Sequence, residues 1–265
     1  MRATRRPAKT RLWVEELESR FAPATLNTGI LPPLFYIPTA HTVATTSSNW
    51  SGYAAQTNLN SPASGVVSAV YGSWTVPKVT STGTAYSSFW VGIDGYSSSS
   101  VEQIGTDTDC SLGTPSYYAW WEMYPAGSVS LSKSTYPVRP GDTLKAEVAR
   151  TGSSYTISLT SSGTDKWTFS MAVSGTNANT SAEWVAEAPQ VCFWIFCRQA
   201  SLTNFGTMSF TGSQAGTGAG DLPISSFATN GGPHEITMVT SSGVVKAQPT
   251  ALQGGAGFSD VWKHS

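Results

Sequence analysis

Hydrophobic and polar positions alternate over short runs along most of this chain, and the densest run is Y-Y-A-W-W-E-M-Y-P at residues 117–125. Strand periodicity sends Tyr118, Trp120, Glu122 and Tyr124 to one face, and Tyr117, Ala119, Trp121 and Met123 to the other. A lone acid thus shares a face with rings. Burying an unpaired charge is costly, so Glu122 is either an exposed strand residue or part of a built site. Further β-branched and aromatic runs lie at 66–76, 88–93, 101–106, 143–149, 155–159, 166–172, 182–186, 206–210, 236–240 and 244–247, separated by Gly, Ser, Asn or Pro clusters. Residues 161–165 and 241–243 read as hairpin turns. About a dozen strands at this spacing, with no helix long enough for a βαβ crossover, predict an all-β, antiparallel two-sheet β-sandwich.

The first 46 residues differ from the rest. Residues 11–21 carry the one convincing helical pattern, with Leu17 and Phe21 four apart, and 22–45 read as a linker marked by Pro23, Pro32, Pro33 and Pro38. The expected division is a basic N-terminal or targeting segment with its linker at 1–46, then one sandwich domain at 47–265. The opening has no apolar run of the length a conventional secretory signal needs, and no transmembrane span is read anywhere. The V-E-E-L-E-S-R stretch resembles the segment that opens many envelope or exported proteins of some bacteria. An extracellular or cell-envelope location is therefore expected, with a disordered tail or a start-site artefact as the plainer reading.

Charge narrows the partners. Charged residues are 12% of the chain, roughly half the usual share, and the formal net charge is −1. No basic stripe follows residue 20, so nucleic acid is not an expected partner; a monomer is. Few carboxylates also leave little to protonate, so tolerance of acid is expected. Of three cysteines, Cys192 and Cys197 bracket F-W-I-F and form either a disulfide or two buried thiols; Cys110 is left over. Three sulfurs without C-x-x-C or a neighbouring His argue against zinc, and no cofactor or metal is expected.

The common hydrolase signatures fail. Of His41, His234 and His264, only His234 is plausibly placed for a serine triad, and no G-x-S-x-G occurs. His234-Glu235 is followed by Met238 where a zinc-protease helix needs its second histidine, and Gly216, Gly218 and Gly220 lack the Lys-Ser/Thr of a P-loop. What remains is carboxylates and amides on aromatic strands. Alternation puts Trp90 with Asp94, Gln103 with Asp107 and opposite Glu102, and Glu183 with Val185 and Glu187. Each is compatible with a solvated strand residue; together they outline an acidic, aromatic cleft.

The ordered set N-W-S-G-Y at 49–53, W-T-V-P at 74–77, F-W-V-G-I-D-G at 89–95, Q-I-G-T-D at 103–107, Y-Y-A-W-W-E-M-Y-P and A-E-W-V-A-E at 182–187 resembles the glutamic peptidases, the eqolisin family. The resemblance implies a lectin-like sandwich of two curved antiparallel sheets and an acid endopeptidase acting on polypeptides. By motif it implies Gln103 and Glu183 as the catalytic pair, with Trp90, Asp94, Asp107, Tyr118, Trp120 and Glu122 lining or bracing the site. It also favours the Cys192–Cys197 disulfide, because the family often has a cysteine-bounded loop after the glutamate strand. Tyr118 departs from the Asp common in fungal relatives, and Met123 from an aromatic. In acid a histidine base is protonated, whereas a Glu of ordinary pKa near 4.3 stays partly ionised at about pH 3 to 4 and a Gln amide does not titrate. The expected arrangement has Glu122, protonated or sharing a hydrogen bond, orienting Gln103 together with Asp94. Two other readings stay open: a glycoside hydrolase using Glu122 and Glu183, and a non-catalytic lectin-like protein.

Overall fold

The structure, a computed structural model, describes residues 42–57, 62–193, 196–230 and 232–265. Its strands are β1 (Val43–Ser47), β2 (Trp50–Gln56), β3 (Ala69–Thr75), β4 (Ala85–Ile93), β5 (Val101–Ser111), β6 (Thr114–Tyr124), β7 (Val129–Ser130), β8 (Thr143–Thr151), β9 (Ser154–Ser161), β10 (Trp167–Ser174), β11 (Ser181–Glu187), β12 (Gln190–Phe193), β13 (Phe196–Gln199), β14 (Thr207–Thr217), β15 (Gly220–Pro223), β16 (Pro233–Val239), β17 (Val245–Pro249) and β18 (Phe258–Trp262). One 3-10 turn, Ile224–Asn230, is the helical element among the described residues, and no helix there is long and apolar enough to cross a membrane. The helix read at 11–21 lies outside the described residues. β1 pairs in parallel with β16, Val43 opposite His234, so the sheet begins ahead of the boundary expected at residue 47.

A continuous hydrogen-bonded path runs β10-β9-β8-β3-β14-β18-β17-β16-β2-β11-β4-β5-β6-β7. It doubles back on itself: β8 lies against β4 and β5, and β11 against β3 and β14, without pairing. The result is the expected sandwich, with β18, β17 and β16 carrying the path from one layer to the other. Trp74, Phe89, Ile104, Leu144, Tyr155, Trp184 and Phe210 fill the space between layers, each less than 2% exposed. Two indoles tie the layers by hydrogen bonds, Trp74 Nε1 to Thr106 Oγ1 at 3.1 Å and Trp184 Nε1 to the Tyr71 carbonyl at 2.7 Å. A buried ring of this size removes roughly 150–250 Å² from water, on the order of 4–6 kcal/mol at about 25 cal/mol per Å².

The alternation read on 117–124 is present in β6. Ala119, with Tyr117, Trp121 and Met123, packs into the core between layers. Trp120, with Tyr118 and Tyr124, joins a second cluster on the opposite face, alongside Trp50, Ala54, Trp90, Tyr96, Val101, Val185 and Ile236. The layer β2-β11-β4-β5-β6 is therefore apolar on both sides. β2 shows why a pattern search passed over it: every residue of W-S-G-Y-A-A-Q is buried, so polarity does not alternate. β5 and β6 run longer than their apolar runs because pairing continues through polar residues to a two-residue turn, with φ of 48° at Leu112 and 84° at Gly113.

Candidate active site

Residues directly opposite one another in a ladder project from the same face. Across β2, β11, β4, β5 and β6 this gives three successive rows. The first is Ala54, Glu183, Gly92, Gln103, Glu122; the second Gly52, Val185, Trp90, Gly105, Trp120; the third Trp50, Glu187, Ser88, Asp107, Tyr118. Strands about 4.8 Å apart put the backbones of Glu183 and Gln103 roughly 10 Å from each other. Gly92 stands between them with no side chain, which leaves both long side chains free to reach over it. A Cβ at Gly92 would come within 3.0 Å of the Trp90 ring and 3.2 Å of Gln103 Cβ.

The second row supplies the apolar floor. Gly105 lets the Trp90 ring cross its strand, since a Cβ there would meet Trp90 Cβ at 2.6 Å and the Phe89 carbonyl closer still. Trp90 packs edge-on against Trp50 at 5.0 Å and donates its indole N–H to Glu187 Oε2 at 2.8 Å. Asn49 Nδ2 donates to the other Glu187 oxygen at 3.3 Å. At the far end of the face, Tyr118 donates to Asp107 Oδ2 at 3.0 Å, and Lys133 Nζ sits 4.8 Å over the Tyr118 ring. Burial, reinforced by the charge of Asp109, pushes the Asp107 carboxyl up to about 7.

In the first row, Gln103 Nε2 donates to Glu122 Oε2, and both residues are fully buried. The Asp94 carboxylate accepts the backbone N–H of Asn179 at 2.6 Å and the N–H and hydroxyl of Thr180 at 2.8 and 2.9 Å, and its charge acts on Glu183. The reason is backbone geometry: Asp94 has φ of 70° at the end of β4, and the turn aims its side chain at the segment entering β11.

Glu183 is 0% exposed, and neither carboxyl oxygen accepts a hydrogen bond of good geometry among the described residues. Burial raises its pKa well above the usual value; Asp94 and Glu102 add to this, while the Ser181 hydroxyl and the Tyr96 backbone oppose it. This runs against the expectation of an ordinary carboxyl, partly ionised at about pH 3 to 4: buried as it is, Glu183 is pushed toward its neutral form. The reading of Glu122 with Glu183 as a glycosidase pair also meets an obstacle, because Gln103 stands between them and holds the Glu122 carboxyl.

Gly92, Gly105, Ser88 and Tyr96 belong to this face and were not singled out from the sequence as site residues. Register finds the first three, since each is a ladder neighbour of a residue that was, and Tyr96 follows Asp94 out of β4. Among the described residues no three His, Cys, Asp or Glu side chains form a metal site. The backbone register sets Cys192 opposite Cys197, whose side chains lie outside the described residues, and Cys110 is a buried free thiol.

Comparison with known proteins agrees with this architecture. Aspergillopepsin-2 of Aspergillus niger is 34% identical over 136 residues, which cover 49% of this chain and 46% of that protein, so the match spans just under half of the relative's length. Among solved structures, scytalido-glutamic peptidase with a peptide-based transition-state analogue superposes with a TM-score of 0.68 at 20% identity, over 82% of this chain and 98% of that one. Aspergilloglutamic peptidase from Aspergillus niger does so with a TM-score of 0.55 at 24% identity, over 68% and 99%. At these identities the structural likeness is one of fold. The model of the Peptidase A4 family matches residues 48–253, and on that match the chain belongs to the Peptidase A4 family.

Proposed function

We propose that this protein is an acid-acting endopeptidase in which Glu183 is the general base and Gln103 stabilises the tetrahedral intermediate. The observation that carries the reading is the row Glu183–Gly92–Gln103, two long polar side chains flanking a glycine on a tryptophan-lined face. A peptide lying over Gly92 presents its carbonyl to both. Glu183, once hydrated and ionised, takes a proton from water as the water oxygen bonds to the carbonyl carbon, then returns it to the leaving nitrogen as the C–N bond breaks. The Gln103 amide has two N–H groups; one is given to Glu122, and the other donates to the oxyanion. Glu122 orients that amide, and Trp90, Trp120 and Tyr118 pack against the substrate's apolar side chains.

We read the protein as an exported monomer working on polypeptides in an acidic medium, with its low charge density as support. The test is hydrolysis of an acid-denatured protein at about pH 3 to 4 by wild type, E183A, Q103A, E122A and E122Q. E183A is expected to be inactive, and Q103A to lose about two to three decades, as for other oxyanion donors. E122A lowers kcat more than it changes KM, and E122Q, which keeps an acceptor for Gln103, recovers most of it. Full activity of E183A or Q103A would remove the mechanism.

A further inference from the structure

The first row extends one strand beyond Ala54. His234 of β16 lies directly opposite Ala54, and so projects from the same face as Glu183, two strands or about 10 Å away. It is 6% exposed and both ring nitrogens are engaged: Nδ1 with the Tyr96 hydroxyl at 2.8 Å, and Nε2 with Gln56 Nε2 at 3.2 Å. With the Gln56 amide as donor, Nε2 accepts, and the single imidazole proton sits on Nδ1 and is donated to Tyr96. The Tyr96 ring also stacks on the imidazole, centroids 4.4 Å apart.

Tyr96 touches Glu183 as well. The Asp94–Gly95 turn, with φ of 70° and 106°, brings Tyr96 back over the face, where its backbone lies at the Glu183 carboxyl and its ring joins Trp50, Trp90 and Val185. Burial holds the Tyr96 hydroxyl up, to about 12, against the opposing Thr45 hydroxyl, and any charge on Glu183 adds to the shift, so this phenol stays protonated throughout acid. One residue thus packs against an acid and an imidazole that are both withdrawn from water.

The geometry points to Tyr96 as a shared cover on Glu183 and His234, and to His234 as a positioning residue that takes up a proton when the cover lifts and Glu183 releases one. The inference rests on the peptidase reading for Glu183. Under the cover both groups are neutral: burial raises Glu183 and lowers His234 to about 4. Lifted and hydrated, they return toward ordinary values near 4.5 and 6.5, so Glu183 ionises and His234 charges. Between about pH 4.5 and 6.5 the covered and lifted forms hold the same number of protons, so lifting carries no pH penalty in that window.

The groups around His234 allow this. Apart from Tyr96 and Glu183, β1 (V-A-T-T-S) has no titratable side chain, and β2 places Ala54 and Gln56 on this side. Glu235 projects from the other face, where Tyr53 donates to it, and Lys246 of β17 neighbours Ala247, which pairs at Met238, four residues farther along β16.

The decisive measurement is kcat/KM on a quenched peptide at pH 4.5, 5.5 and 6.5. Wild type is expected to vary by less than about threefold. In H234Q the lifted, ionised form has one proton fewer than the covered form, so kcat/KM falls roughly tenfold per pH unit from 6.5 to 4.5. A constant ratio of H234Q to wild type across this range overturns the inference, since a merely structural histidine lowers activity evenly. A second arm needs no hydrolysis. In a Q103A background, NMR titration of the His234 ring and the Glu183 carboxyl is repeated with Y96A, which removes the covering ring from both groups. The two pKa values are expected to move in opposite directions, His234 upward and Glu183 downward; movement of neither, or of one alone, overturns it. Absence of hydrolysis by wild type would instead defeat the peptidase reading and leave the NMR arm to decide this one.

Discussion

Stability should fall as pH rises through the weakly acidic range, the reverse of the behaviour of a protein held by surface ion pairs. Glu102 and Asp260 are both 0% exposed, and burial raises them to about 8 and about 7. The charge of Asp94 adds to the shift of Glu102 and that of Glu235 to Asp260, against the Asn177 amide and the Ser51 hydroxyl, which donate to them. Below about pH 4 folded and unfolded forms are both protonated at these sites. Between about 4.5 and 6.5 the folded form keeps protons that the unfolded form has lost, so each carboxyl makes folding less favourable by about 1.4 kcal/mol per pH unit. His234, lowered to about 4, works in the opposite sense over the same window and cancels one of them. The net of these three groups is about 1.4 kcal/mol per unit, or about 3 kcal/mol between pH 4.5 and 6.5, and it is a lower bound because Asp107 and Glu183 push the same way. For a domain of this size the Tm should be lower by at least about 6 °C at the higher pH. Thermal unfolding followed by circular dichroism at half-unit steps would show it. D260N, which mimics the neutral acid and keeps an acceptor for Ser51, should match wild type at pH 4 and exceed it at pH 7. A Tm that is flat or rises from pH 4.5 to 6.5, or a D260N effect equal at both ends, would refute the reasoning.

Three further outcomes follow from particular contacts. G92A places a methyl group against Trp90 and Gln103 in the gap between the proposed catalytic side chains, so kcat/KM should drop at least tenfold while urea unfolding shows a loss of no more than about 1–3 kcal/mol, typical of overpacking. D94A leaves the buried N–H groups of Asn179 and Thr180 unpaired and should cost about 1–3 kcal/mol each in urea unfolding, whereas D94N, which retains an oxygen and tolerates positive φ, should cost clearly less. The opposed register of Cys192 and Cys197 supports the proposed disulfide, so the unreduced, denatured chain should take up one thiol label and the reduced chain three, counted by mass spectrometry.

The face assignments were legible because strands have a period of two, which needs no knowledge of partners. Glu183 with Glu187, Gln103 with Asp107, and the split of residues 117–124 follow from that rule alone and hold in the register. What alternation cannot supply is which strands are neighbours. Nothing in the local pattern sets β4 between β11 and β5, so Gly92, the residue that opens the space between Glu183 and Gln103, carried no mark of its own. Asp94 marks the limit of the rule, because alternation was extended one step past Ile93, where the backbone has already turned to positive φ and its carboxylate meets Asn179 and Thr180.

The same distinction bears on the expectation of acid tolerance, which charge counting reached without knowing where the carboxyls lie. A low number of carboxylates was taken to mean little to lose on protonation. The structure instead buries Glu102, Glu183 and Asp260, and desolvation pushes these carboxyls, with that of Asp107, toward the neutral form. On the proposed reading, hidden acids of this kind favour an acidic medium. Under the proposed mechanism that arrangement sets a conflict at Glu183, because Glu102 and Asp260 can stay neutral while a general base must ionise to act. A neighbouring imidazole that is neutral only while buried resolves it, since the exposure that frees one proton admits another.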